Sequence, residues 1–199
     1  MTIKNTSVSL ATVVLVLALG LPLTAVAGHT FQAANMISLH SGKLVKGAAT
    51  LTRSENSVTA RIYSAQVPKN AAFSIWWVVW NDPSLCVDGV CGDQEEDFGI
   101  VGNSLFYAGG FVTGKDGTVN VSVHLEAGDL AEGIDVLIPG GLELMNGFDA
   151  EIHVVLRTHG RPVKGMVDLQ IGSFDGACDL RNCHDHMAVA FPPNPPAAP

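Results

Sequence analysis

Four cysteines, seven histidines and one dense acidic run hold most of the chemistry open to this 199-residue sequence. Four residues separate Cys86 from Cys91, and four separate Cys178 from Cys183. In an oxidising compartment the simplest reading is two local disulfides, Cys86–Cys91 and Cys178–Cys183, among three formally possible pairings. Zinc is the weaker reading, because neither pair has the two-residue spacing common in structural zinc centres. His184 and His186 form an i, i+2 pair. On a strand both imidazoles then face one side, about 7 Å apart at Cα, close enough to chelate one copper or zinc ion. His124 or His153, on a neighbouring strand, is the expected third ligand. His153 and His159 share parity but stand about 20 Å apart along an extended strand, too far for one ion.

Five carboxylates, Asp88, Asp93, Glu95, Glu96 and Asp97, surround the first cysteine pair. Calcium takes six to eight oxygens, so a pinned acidic loop is a calcium candidate, although the spacing is not that of an EF-hand. Nucleophilic catalysis finds little footing. Gly102-Asn103-Ser104 lacks the following x-Gly of a nucleophile elbow, and cysteines held in disulfides offer no thiolate. Tyr107-Ala108-Gly109-Gly110-Phe111 sits inside a strand pattern, where glycine marks a bulge or a close approach rather than a phosphate loop. Trp76, Trp77 and Trp80 have apolar neighbours on both parities and read as core rather than as a sugar-binding platform.

The elements that must position these groups are strands. Val58, Ala60 and Ile62 alternate with polar residues, and so do Val119 to Leu125, Ile152 to Leu156, and Val167, Leu169 and Ile171. One apolar face at period two is the mark of antiparallel strands on a core. Phe73–Trp80 is apolar on both parities, as expected of a central strand covered on both sides. Arg53–Asn56 and Lys115-Asp116-Gly117 read as hairpin turns, and the glycine-rich stretch from Gly128 to Gly147 as a long loop. The fold expected is a single antiparallel β-sandwich, immunoglobulin-like or Greek-key, with two short-loop disulfides.

Residues 1–27 carry Lys4, an apolar run from Val8 to Leu23 and the small-x-small pattern Ala25-Val26-Ala27, which together read as a secretory signal peptide. Cleavage after Gly28 instead would leave His29 as an N-terminal copper ligand. The sandwich then spans 28–191 and a proline-rich tail spans 192–199. No second apolar run is long enough to span a bilayer, so no transmembrane segment is expected in the mature chain. Lys and Arg total 11 against 19 Asp and Glu, a net charge of −8, which argues against nucleic acid or anionic lipid as a partner.

The run from Ala71 to Cys91, with its Trp-Trp-Val-Val-Trp-Asn-Asp-Pro centre, resembles a family of uncharacterised bacterial secreted proteins, as does Ala150–Gly160. That family has no established activity to carry over. The hairpins around an aromatic strand also look loosely like chordin-type and superoxide-dismutase-like sandwiches, a resemblance of fold that implies no chemistry. The expected function is therefore an exported, secreted or periplasmic, non-catalytic domain that binds or scaffolds an extracytoplasmic protein or small ligand and needs no cofactor. The alternative is histidine-based copper or zinc binding or redox chemistry. Convergence of His184 and His186 with His124 or His153 separates the two.

Overall fold

The computed structural model describes residues 28–64, 66–87, 91–92, 101, 103–129, 143–178 and 183–194. Residues 1–27, the acidic-loop residues Asp88, Asp93, Glu95, Glu96 and Asp97, and the end of the tail lie outside these. Eight strands form: β1 (Thr30–Ser38), β2 (Leu44–Ser54), β3 (Ser57–Ser64), β4 (Ala72–Trp80), β5 (Asn103–Val112), β6 (Val119–Glu126), β7 (Glu151–His159) and β8 (Cys183–Phe191). A six-residue helix, α1 (Val167–Gly172), lies between β7 and β8. All pairings are antiparallel, in the order β5-β4-β7-β8-β1-β2-β3-β6.

The all-β antiparallel architecture is as the alternating pattern demands, and both expected disulfides are present. The sheet is continuous and nearly barrel-shaped. Its weakest join is between β1 and β8, which pair only at Ile37–Ala188 and Ser38–Met187. Beyond that short ladder, Thr30 and Gln32 of β1 donate side-chain hydrogen bonds to the carbonyls of Asn194 and Pro192. The molecule is thus two four-stranded halves meeting at a seam.

Two local expectations are corrected. Lys115-Asp116-Gly117 reverses the chain, with Asp116 accepting from the Thr118 hydroxyl at 2.8 Å and Gly117 at φ +69°. It makes no hairpin, because β5 pairs with β4 and β6 with β3. Turn chemistry fixes a reversal, whereas the partner of each strand is chosen by packing. Between β2 and β3, by contrast, a two-residue Glu55-Asn56 turn closes a hairpin in register from Ser54–Ser57 to Gly47–Ser64. The second correction is Val167–Ile171, which alternates like a strand but forms α1. Five residues of alternation do not outweigh a helix that buries Gln170, whose amide donates to the carbonyls of His159 and Arg161 and accepts the Val163 N–H.

Strand β4 is buried on both faces. Phe73, Ile75, Trp77 and Val79 point into the main core. Trp76 packs edge-on against Tyr107 and Phe174, and Trp80 joins a second cluster with Cys86, Cys91 and Val101. All three tryptophans are essentially fully buried. At roughly 200 Å² each, this burial contributes about 5 kcal/mol apiece before entropy is counted. Each disulfide therefore sits in a segment that covers the outer face of β4. Gly110 makes one cover possible, since any Cβ there would collide with the Ile171 carbonyl of α1.

Arg53 is the unexpected core residue. It is 0% exposed and donates to Gln32 Oε1 and to the carbonyls of Gly147, Ala150, Phe191 and Pro192, all within 2.6–2.9 Å. Burial lowers its pKa to about 10, an effect opposed by the negative charge of Glu151.

Candidate functional site

On β7 the residues Glu151, His153, Val155 and Arg157 alternate with the core-facing Ile152, Val154 and Leu156, so they share the outer face of the sheet. His153 Nε2–H donates to Glu151 Oε1 at 2.7 Å, and its ring lies 4.3 Å from that of Trp80. The pair is only 17% and 9% exposed, so the polar parity of β7 is half-covered rather than solvated. Across the ladders His153 sits opposite Val78 on β4 and Ala190 on β8.

These residues line a cavity of about 230 Å³. Ala188 and Ala190 leave its floor low, Trp80 and His153 make one wall, and Ile37 and Leu39 make the other. The groove runs along the β1–β8 seam. The Trp80 indole N–H has no acceptor among the described residues. Asp185 closes one end and accepts from Arg157 at 2.9 Å. Arg157 also donates to the Phe174 carbonyl and to Asp175, and its guanidinium stacks 3.9 Å over the Phe174 ring. A planar five-donor head can make all these contacts at once, and so ties the α1 cover to β8.

Under that cover lies a buried polar chain. Trp76 Nε1–H donates to Ser74 Oγ at 2.8 Å, and Ser74 Oγ lies 2.9 Å from His159 Nε2. His159 Nδ1 is 3.2 Å from the Gly176 carbonyl, which can only accept. Nδ1 therefore carries the proton, and Nε2 accepts the Ser74 hydroxyl. Burial pushes the His159 pKa down, which holds the ring neutral. A serine hydroxyl on a neutral imidazole is a nucleophile–base geometry, but Ser74 is 0% and His159 2% exposed, so no substrate reaches it. His159 Nδ1 also lies 3.4 Å from Cys178 Sγ and 3.8 Å from Cys183 Sγ.

The expected histidine set is dispersed. His124, between Thr59 Oγ1 and Glu126 Oε1 on β6, is four strands from β8 in the sheet order, or about 19 Å along the sheet. His184 pairs with Thr158, five residues along β7 from His153, or about 16 Å. His184 and His186 are neighbours, with ring centroids 5.8 Å apart, although a bulge in the β7–β8 ladder makes His186 the extra residue. His40, on the turn after β1, is near enough for its charge to act on His186. Leu39 N–H donates to the His186 carbonyl, and burial, then His184, then His40 lower the His186 pKa.

The Glu151–His153 dyad was readable as an i, i+2 acid–base pair on one strand face. Arg53, read from the sequence as part of the Arg53–Asn56 turn, lies inside β2, and its one signal was the shared parity with Ala49 and Leu51. Nothing local marked Gln170 or His40.

No protein-family model matches the chain, and no curated protein matches it, so the family resemblance rests on the two motifs alone. Among solved structures, a point mutant of an SOD-like protein from Bacillus subtilis aligns over 80% of this chain and 97% of its own, with 14% identity and a TM-score of 0.37.

Proposed function

We propose that this chain is an exported, non-catalytic binding domain whose docking site is the seam groove. Its partner is an extracytoplasmic protein that inserts one large apolar side chain. The observation that carries the reading is the groove itself, alanine-floored and walled by Trp80, Ile37 and Leu39. Ile37 and Leu39 are 39% and 40% exposed beside it. Contiguous apolar surface around a pocket the size of one side chain is what an anchor residue fills. The polar groups nearby are engaged with one another, His153 with Glu151 and Arg157 with Asp185 and Asp175. That arrangement orients a partner and leaves no reactive group poised.

The test is site-specific photocrosslinking in the exporting cell, with the probe at Leu39 and a control probe at Tyr63, exposed on β3. A discrete adduct is expected from Leu39 only, reduced at least tenfold by the groove-filling substitution Ala190→Trp. Equal adducts from both positions, or none from Leu39, would reject the groove. N-terminal sequencing of the same sample tests export, with residue 28 or 29 expected first.

A second reading, copper or zinc binding by histidine, rests on His184 and His186, whose ring centroids lie 5.8 Å apart. One equivalent of metal, lost in H184A/H186A, supports it. Metal content unchanged by the double substitution removes it.

A further inference from the structure

We propose that His159, Cys178 and Cys183 form a redox-gated metal site, closed while the disulfide is intact and able to hold a thiophilic d¹⁰ cation such as Zn²⁺ once it is reduced. The inference is independent of the groove.

Geometry carries it. The three potential donor atoms lie within 4.8 Å of one another, the one such cluster of three among the described residues. In a tetrahedral centre with Zn–S of about 2.3 Å and Zn–N of about 2.05 Å, a nitrogen and a sulfur ligand stand about 3.6 Å apart. His159 Nδ1 is already 3.4 and 3.8 Å from the two sulfurs. Only the sulfurs must separate, to about 3.7 Å. The presentation is also built. Ala177, immediately before Cys178, takes the left-handed conformation at φ +50°, which an alanine adopts only under tertiary constraint. On the far side of the ring, Ser74 Oγ stands 2.9 Å from Nε2. When Nδ1 gives up its proton to bind metal, Nε2 takes one and donates it to that oxygen. Such an outer hydrogen bond fixes tautomer and orientation in histidine–metal sites.

The step balances as follows. Two equivalents of a thiol reductant supply two electrons and two protons, so the Cys178–Cys183 bond becomes two S–H groups while the reductant becomes its own disulfide. Zn²⁺ then displaces both thiol protons, and the imidazole proton moves from Nδ1 to Nε2 with no net change. Three protein ligands leave one coordination position for water. In the reverse step the reductant's own disulfide takes up the two electrons and two protons from solvent to become two thiols, the Cys178–Cys183 bond re-forms, and the cation, left without thiolate ligands, is released.

The experiment uses the whole chain, reduced with a phosphine that does not bind zinc. Cysteine alkylation is followed residue by residue by mass spectrometry, with and without one equivalent of Zn²⁺. Zinc is expected to slow alkylation of Cys178 and Cys183 at least tenfold and to leave Cys86 and Cys91 unprotected. His159→Gln should reduce that protection at least tenfold, and Co²⁺ should give sulfur-to-cobalt charge-transfer absorption in the reduced protein only. Equal protection of both pairs, no protection, or protection indifferent to His159→Gln overturns the site. Loss of the near-UV circular dichroism on reduction overturns it as well, since the cluster requires folded β7.

Discussion

Arg53 stands on the inward side of β2, in line with Ala49 and Leu51, where an apolar side chain would ordinarily be. Its guanidinium donors meet Gln32 and four backbone carbonyls, those of Gly147, Ala150, Phe191 and Pro192. The guanidinium thereby joins β2 to the segment before β7 and to the end of β8, which are far apart in sequence. Arg53→Met keeps much of the volume but orphans those acceptors, and is expected to cost about 3–5 kcal/mol in urea unfolding. Arg53→Lys should recover less than half of the loss, because an ammonium has three donors and no fork. A cost under about 1 kcal/mol for the methionine variant would contradict this account.

At the scale of elements, β4 and its two covers are the centre of the design. Its double-sided apolar character was legible from Phe73–Trp80. The identity of the covers was not, because each is an irregular segment whose packing depends on residues remote in sequence. Gly110 is where a cover meets the sheet. Gly110→Ala drives a Cβ into the Ile171 carbonyl, so α1 must lift from β5, at an expected cost of about 1–3 kcal/mol. Trp76 emission should shift to the red as Phe174 moves away. Gly172→Ala is the matched control, with nothing within 4 Å of its added Cβ. If both variants unfold at the same urea concentration, the close approach is not what Gly110 provides.

Over the whole molecule, buried His159 and half-buried His186 add a mildly acidic limb to the pH dependence of stability. His159 and His186 both have pKa values below the ordinary 6.5, His159 by burial and His186 by burial reinforced by its histidine neighbours. A base whose pKa falls on folding binds fewer protons in the native state than in the unfolded chain. Its contribution to stability is therefore complete above about pH 6.5 and is lost as pH falls from there toward the folded value. Unfolding free energy should decline on that limb, with His159 supplying up to about 1.4 kcal/mol per pH unit. His159→Gln should flatten the slope even if it lowers stability at neutral pH. A slope unchanged in that variant would mean that other groups govern acid sensitivity.

The sequence by itself determined the all-β class and the doubly buried central strand, and made the two local disulfides the simplest of three pairings, because alternation, apolar runs and short cysteine spacing are local properties. It also placed His124 and His153 on the outward parity of their strands, which the backbone period alone decides. What it left open was every relation between strands. Which strand neighbours which, where the β1–β8 ladder stops and leaves a groove, and which further imidazole's charge acts on His186 all follow from sheet order and register. The placement of His159 against Cys178 and Cys183 is of the same kind. A segment of about twenty residues leaves the end of β7, forms α1 in place of the strand its alternation suggested, and returns as β8, bringing the sulfurs back to the ring. Such closures are settled by packing over the outer face of β4, where Trp76, Phe174 and Arg157 interlock, and by the burial of Gln170. Those terms act between residues that no local window contains, and only the tertiary structure decides them.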